Sequence, residues 1–179
     1  MAIDNSRAVF LDRDGVIVSE KDFIINPDQL EFIPGSLEAL KRVPKDYLKI
    51  IISNQSGVGR GFFRAEQVEA FNRFLLAEIK KKGASIDEIY YCPHTREDDC
   101  ECRKPKTLLF ESAKRQYNID YAKSWMIGDK SSDIQAGKNI GATTILVLTG
   151  YGGKEHGNSD VVADYTVNNL YEAVEIIRE

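Results

Sequence analysis

Histidine and cysteine are scarce in this chain, with two of the first and three of the second in 179 residues. An odd cysteine count without a signal segment speaks against a disulfide framework. Long apolar runs are missing as well. The longest, such as Ile50-Ile51-Ile52 and Thr144-Ile145-Leu146-Val147-Leu148, fall far short of the roughly 20 residues that span a bilayer. There is no excess of basic residues. Net charge is −4, so no whole-chain field draws nucleic acid. Met1-Ala2-Ile3-Asp4-Asn5 carries neither the basic segment nor the apolar stretch of a secretory signal, which makes the cytosol the expected compartment. No membrane association is expected.

What is present describes an ordinary globular chain, 42% hydrophobic and 29% charged, of a length that suits one domain over residues 1–179. Apolar strand-like runs alternate with helical patterns. Strands are expected at Ala8–Leu11, Tyr47–Ser53, Ile86–Tyr91, Ser124–Ile127 and Thr143–Leu148, with an edge strand at Val161–Val167. Helices are expected at Ser36–Val43, Ala65–Lys82, Thr107–Tyr117 and Ser131–Ile140, and around Leu170, Val174 and Ile177. This alternation predicts an α/β, Rossmann-like parallel sheet with helices on both faces. The glycine-rich stretch from Gly150 to Ser159 is expected to be a mobile loop, in which His156 meets solvent.

Sheets of this kind bind ligands at the carboxyl ends of their strands, so the residues following each strand carry the functional signal. After the first strand comes Asp12-Arg13-Asp14-Gly15, and after the second Ser53-Asn54-Gln55-Ser56-Gly57. The third leads into a Cys/His loop ending in Arg103-Lys104-Pro105, and the fourth into Gly128-Asp129-Lys130-Ser131-Ser132-Asp133. Asp12 and Asp14 can divide nucleophilic and proton-transfer work, and a cation between Asp12 and Asp129 would neutralise the acidic cluster. Ser53 and Lys104 can hold phosphate oxygens. Each of these also has a plain structural reading: a surface turn for Asp-x-Asp-Gly, a helix cap for Ser53 or Asn54, a solvated side chain for Lys104. Their coincidence at successive strand ends favours the functional one.

All three cysteines lie within residues 92–102, together with His94. Cys92, His94, Cys100 and Cys102 form C-x-H followed by C-x-C, a donor set that suits a closed, structural tetrahedral Zn²⁺ site. A redox thiol pair would instead call for C-x-x-C.

These motifs resemble those of the haloacid dehalogenase superfamily. Phe10 to Gly15 looks like its first motif, Ser53-Asn54-Gln55 its second, Lys104 its third and Gly128 to Asp133 its fourth. The resemblance implies a phosphatase with Asp12 as nucleophile and Asp14 as general acid and then base. It also implies that Mg²⁺ is held by Asp12, the backbone carbonyl of Asp14 and Asp129, with Asp133 outside the ligand set. Ser53 and Lys104 would steady the phosphoryl group.

The sequence C-P-H-x₅-C-x-C-R-K-P is similar to that of the zinc-loop branch, which includes phosphatases of heptose bisphosphates and of histidinol phosphate. Ser56 and Arg60 in the second motif lean towards a sugar bisphosphate. Asn54, Gln55, Ser56, Arg60, Arg103 and Lys130 are then the expected substrate-binding residues, with a small sugar phosphate as the partner and the chain acting as a monomer. Histidinol phosphate turnover and non-catalytic binding of a sugar phosphate are the alternatives. The 38 residues between Asp14 and Ser53 leave no space for a separate cap domain.

Overall fold

The computed structural model describes residues 5–154 and 160–179. Six parallel strands form one sheet in the order β3-β2-β1-β4-β5-β6. The strands are β1 (Arg7–Leu11), β2 (Tyr47–Asn54), β3 (Glu88–Cys92), β4 (Trp125–Gly128), β5 (Thr143–Val147) and β6 (Tyr165–Val167). Strand order reverses between β1 and β4, where Phe10 pairs with both Ile50 and Met126. The crevice that opens at such a switch point is where this fold class binds ligands.

Helices α1 (Ser36–Arg42), α2 (Ala65–Lys81) and α5 (Leu170–Arg178) cover one face of the sheet, and α3 (Leu108–Tyr117) and α4 (Ser131–Ile140) cover the other. Alternate residues of β1 and β2 therefore enter two different cores. Val9, Leu11 and Ile51 pack with Leu40, Phe71, Leu75 and Val174, while Phe10, Ile50 and Ile52 pack with Phe110, Ala113 and Ala136. Burial on both sides is the physical reason that these strands read as unbroken apolar runs. The whole interval between Asp14 and Ser53 is spent on a loop, a 3₁₀ turn at Pro27–Gln29, α1 and β2, so the site has no cap domain over it.

β3 and β6 start two or more residues later than expected, each for a local reason. β3 begins two residues late because Asp87 is a docking turn: its carboxylate accepts from the Lys49 N–H at 2.7 Å and its own N–H donates to the Lys49 carbonyl at 2.8 Å. β6 shrinks to Tyr165–Val167 because the Asp164 carboxylate accepts from the Thr144 N–H (2.8 Å) and hydroxyl (2.6 Å), replacing ladder bonds. α2 starts at Ala65, as expected; Arg64 before it makes no capping side-chain hydrogen bond, and Gln67 accepts from the Arg64 N–H at 2.9 Å. Within the expected loop at Gly150–Ser159, residues 155–159, His156 included, lie outside the described residues.

Phe110 of α3 meets Phe10 of β1 edge-on, with ring centroids 5.1 Å apart and both side chains wholly buried. Phe110→Ala should destabilise the protein by about 3–5 kcal/mol, through lost burial and the cavity left behind. Urea or thermal unfolding checks this, and a loss below about 1 kcal/mol would show that this face of the sheet carries little of the stability.

Candidate active site

β1 delivers Asp12 and Asp14 to the switch point, β2 delivers Ser53, β4 delivers Asp129, and the loop before α3 returns Lys104 to the same place. All five are at least nine-tenths buried. The Lys104 ammonium lies 3.0 Å from Asp12 Oδ1 and 2.7 Å from Asp133 Oδ1, and it donates to the Ile52 carbonyl. Burial alone would lower the Lys104 pKa, but Asp12 and Asp133 hold it above its ordinary value. Burial likewise pushes the Asp12 carboxyl up, and the nearby ammonium groups of Lys104 and Lys130 outweigh it, leaving Asp12 below the usual carboxylate range. Asp12 is thus kept ionised at neutral pH, the state in which a carboxylate oxygen can act as a nucleophile.

Asp14 is held differently. Arg13 grips its carboxylate with Nε and Nη2 at 2.9–3.1 Å, and Gln55 Nε2 donates to Asp14 Oδ2 at 2.9 Å and to Ser53 Oγ at 2.8 Å. Asn54 turns away from a purely ligand-facing role: its amide both donates to the Lys104 carbonyl (3.3 Å) and accepts from the Lys104 N–H (3.1 Å), clasping β2 to the lysine loop.

Asp129 has an electrostatic problem that a cation would solve. Its Oδ2 accepts from the Tyr151 N–H at 2.8 Å, whereas its buried Oδ1 has no hydrogen-bond partner. Burial, and after it the charge of Asp12, pushes its carboxyl up to about 8. Oxygens of Asp12, Asp129 and Asp133 lie within 4.8 Å of one another. Lys104 ion-pairs with Asp12 and Asp133 but not with Asp129, which leaves Asp129, beside Asp12, the carboxylate of the three without a cation of its own at contact distance. Hard oxygen donors of this kind fit Mg²⁺. Gly150 is needed here, because it has φ +61° and a Cβ would fall 2.2 Å from Asp129 Oδ2.

A few ångströms further out, Cys92, His94, Cys100 and Cys102 converge. Their sulfur and Nδ1 atoms stand 3.0–3.6 Å apart and all three thiols are free. Four ligands about 2.3 Å from a Zn²⁺ at tetrahedral angles would stand about 3.8 Å apart, so the cluster is close to the shape the ion demands. The loop is stitched to the second motif by bonds from Gln55 N–H to the Cys92 carbonyl (2.7 Å) and from Gly59 N–H to the Pro93 carbonyl (2.8 Å). Only glycine allows the second contact, since a Cβ on Gly59 would sit 2.9 Å from the Thr95 nitrogen.

The crevice between these parts encloses about 800 Å³, within the range of small-molecule sites. Asp12, Asp14 and Lys104 lie at its base, and Ser56, Arg60 and Arg103 border it. Arg103 Nη1 donates to the His94 carbonyl at 3.2 Å. Lys130 pairs with Glu20 at 3.1 Å and lies 4.8 Å from the Tyr151 ring centroid, and all three line the crevice.

The sequence reading missed Arg96. It sits beside Arg60 and Arg103 on the same wall, held by a turn in which Asp98 Oδ2 accepts from the Thr95 N–H and hydroxyl at 2.7 and 2.9 Å. None of the three arginines has an ion-pair partner among the described residues. Burial, with repulsion from Arg96 and Arg60, lowers the Arg103 pKa. The signal in the sequence was a cation placed inside the metal loop, overshadowed by the ligands around it. Tyr151 was likewise not singled out, whereas the Glu20–Phe23 loop, expected from the sequence to help select the substrate, does line the crevice through Glu20, Asp22 and Phe23.

Comparison with known proteins agrees with this geometry. A family model described as "HAD-hyrolase-like" matches residues 101–173. A Pasteurella multocida protein named D-glycero-beta-D-manno-heptose-1,7-bisphosphate 7-phosphatase is 36% identical, with 96% of this chain and 97% of that protein aligned. A Campylobacter jejuni relative named for the alpha anomer is 34% identical, with 97% of each chain aligned. The crystal structure of a D,D-heptose 1,7-bisphosphate phosphatase from B. bronchiseptica, complexed with magnesium and phosphate, superposes with a TM-score of 0.86. It is 31% identical, and the match covers 96% of this chain and 98% of that one. The chain belongs to the HAD-like hydrolases, as a member of their heptose-bisphosphate phosphatase family.

Proposed function

We propose that this protein is a Mg²⁺-dependent phosphomonoesterase that removes the 7-phosphate of D-glycero-D-manno-heptose 1,7-bisphosphate and leaves the 1-phosphate in place. The observation that carries the substrate reading is the wall of three unpaired arginines, Arg60, Arg96 and Arg103, in the same crevice as the Asp12–Lys104 pair. Guanidinium groups match phosphate oxygens in geometry and charge, and a substrate with two phosphates can engage both ends of such a crevice.

Asp12 Oδ attacks the phosphorus of the cleaved group. Ser53 and Lys104 orient the phosphoryl oxygens, and Asp14 passes a proton to the departing sugar oxygen. Asp14 then removes a proton from the water that attacks the aspartyl phosphate, which regenerates Asp12. Asp12, Asp129 and the Asp14 carbonyl would hold Mg²⁺, which supplies charge neutralisation for the carboxylates and the phosphoryl group. Zn²⁺ at Cys92, His94, Cys100 and Cys102 would be structural, fixing the loop that carries Arg96 and Arg103.

Asp12→Asn should lower turnover by more than roughly a thousandfold in a protein that still folds, because the attacking charge is lost and little volume with it. Substantial residual activity in folded, purified Asp12→Asn rules out the covalent route. Phosphate release from heptose bisphosphate in Mg²⁺ buffer, compared with release from histidinol phosphate, tests the substrate class. Preference for histidinol phosphate overturns it.

Alanine at Arg60, Arg96 or Arg103 should cost about ten- to a hundredfold in kcat/KM on the bisphosphate, the range of a charge-assisted contact. The same variants should change little on a heptose monophosphate lacking the second group. Equal losses on the two substrates mean the arginines do not read the second phosphate. Cys100→Ser should lower the melting temperature and raise KM more than it lowers kcat, because the arginine loop loses its anchor. Elemental analysis finding no zinc in fully active protein purified without chelators refutes the structural-metal reading.

A further inference from the structure

The proposed chemistry gives Arg13 no task, yet among the described residues it is the largest wholly buried side chain. A charged group is taken out of water at considerable cost unless its hydrogen bonds are met, so its partners indicate its purpose. Nε and Nη2 bind both oxygens of Asp14 at 2.9–3.1 Å. Nη1 donates to Asn72 Oδ1 of α2 at 3.1 Å, and Nη2 also reaches the Ile24 carbonyl at 3.2 Å. The face of the guanidinium lies 5.0 Å from the ring centroid of Phe71, also on α2. The fork is therefore seated on a rigid helix at one end and on Asp14 at the other.

We infer that Arg13 is a positioning residue, which fixes the Asp14 carboxyl in line with the leaving-group oxygen through the Asn72–Phe71 seat on α2. The inference rests on the reading of Asp14 as the acid and base of the reaction. In the first step the Asp12–phosphorus bond forms, the phosphorus–ester oxygen bond breaks, and the Asp14 proton goes to that oxygen. In the second, water loses a proton to Asp14 as its oxygen bonds phosphorus and the Asp12–phosphorus bond breaks, releasing inorganic phosphate. Both transfers need the Asp14 oxygen within hydrogen-bond reach of its target, and a displacement of about 1 Å can cost roughly a hundredfold. The other contact to the Asp14 carboxylate is Gln55, on the crevice side at 2.9 Å. A bidentate guanidinium resists rotation of the carboxylate in a way that a single ammonium cannot.

Dependence on the leaving group separates positioning from general support of the fold. A sugar phosphate leaves as a strongly basic alkoxide and needs the proton, whereas p-nitrophenyl phosphate leaves as a stable anion and does not. kcat/KM reports the steps up to leaving-group departure, so it should be measured on both substrates for Asp14→Asn, Arg13→Lys, Arg13→Gln and Asn72→Leu, with melting temperatures for each. Asp14→Asn should lose about a hundredfold or more on the sugar phosphate and less than about threefold on the aryl phosphate. The Arg13 variants should show the same asymmetry at about ten- to a hundredfold, and Asn72→Leu a smaller version of it, with KM for the sugar phosphate little changed. If Arg13 cannot be replaced in a folded protein, Asn72→Leu decides alone.

Parallel losses on the two substrates, or none, in the Arg13 and Asn72 variants overturn the positioning role while Asp14→Asn keeps its asymmetry. If Asp14→Asn itself shows no asymmetry, the acid reading fails, and the role of Arg13 fails with it.

Discussion

The Lys104 ammonium, buried between Asp12 and Asp133, is the contact on which the rest of the site depends. Three carboxylates, Asp12, Asp129 and Asp133, are gathered within 4.8 Å where water is excluded. Like charges so close repel strongly, and desolvation adds to the cost. One fixed cation lowers that cost on Asp12 and Asp133 and leaves Asp129 short of positive charge, its Oδ1 unpartnered. The lysine thus sorts three similar acids into different states: Asp12 held ionised, Asp133 tied up in an ion pair, and Asp129 open to a cation. Removing it would leave buried charges uncompensated, a larger loss than the absence of one attractive pair.

Holding Lys104 there takes parts from distant stretches of chain. The side chain reaches from the loop after the cysteine cluster across the end of β2 to the Ile52 carbonyl. Asn54 clasps the lysine backbone on both its N–H and carbonyl, so β2 and the loop move together. The loop is in turn bonded to the second motif through the Cys92 and Pro93 carbonyls. A metal at the four-ligand cluster would therefore act on the chemistry at a distance, by setting where the lysine loop begins. This also explains how a site without a cap domain can be selective. Recognition falls to short loops that have little stiffness of their own, and cross-bonding supplies it.

Much of this was readable from residue order, because the motifs at Asp12, Ser53 and Asp129 lie at or directly after the ends of apolar strands, while Lys104 returns through a longer loop. Fully apolar runs such as Ile50-Ile51-Ile52 announce burial on both faces, and the parallel sheet and its carboxyl-end motifs follow from that. The convergence of Cys92, His94, Cys100 and Cys102 was legible because Cys and His are rare here and clustered. What did not show in the sequence depends on pairing across the fold. Asp164 substitutes for ladder bonds to β5 only once Thr144 is beside it, so β6 looked four residues longer than it is. Asn54 looked like a ligand-binding amide and proves to be a backbone clasp as well. Arg96 was hidden by its position among ligands, and its value lies in proximity to Arg60 and Arg103.

The two aspartates of the first motif show how one short sequence can carry two kinds of carboxylate. They are separated by a single residue, yet they face different cations: Asp12 an ammonium that two acids share, Asp14 a guanidinium devoted to it and seated on α2. An ammonium is a compact point charge with rotatable donors, while a guanidinium is a planar fork that fixes orientation. The first suits a nucleophile, which needs its charge preserved in a dry site until phosphorus arrives. The second suits a proton carrier, for which direction matters more than field. On the proposed mechanism, the division of roles between the aspartates is set as much by the partner each finds in the fold as by its place in the motif.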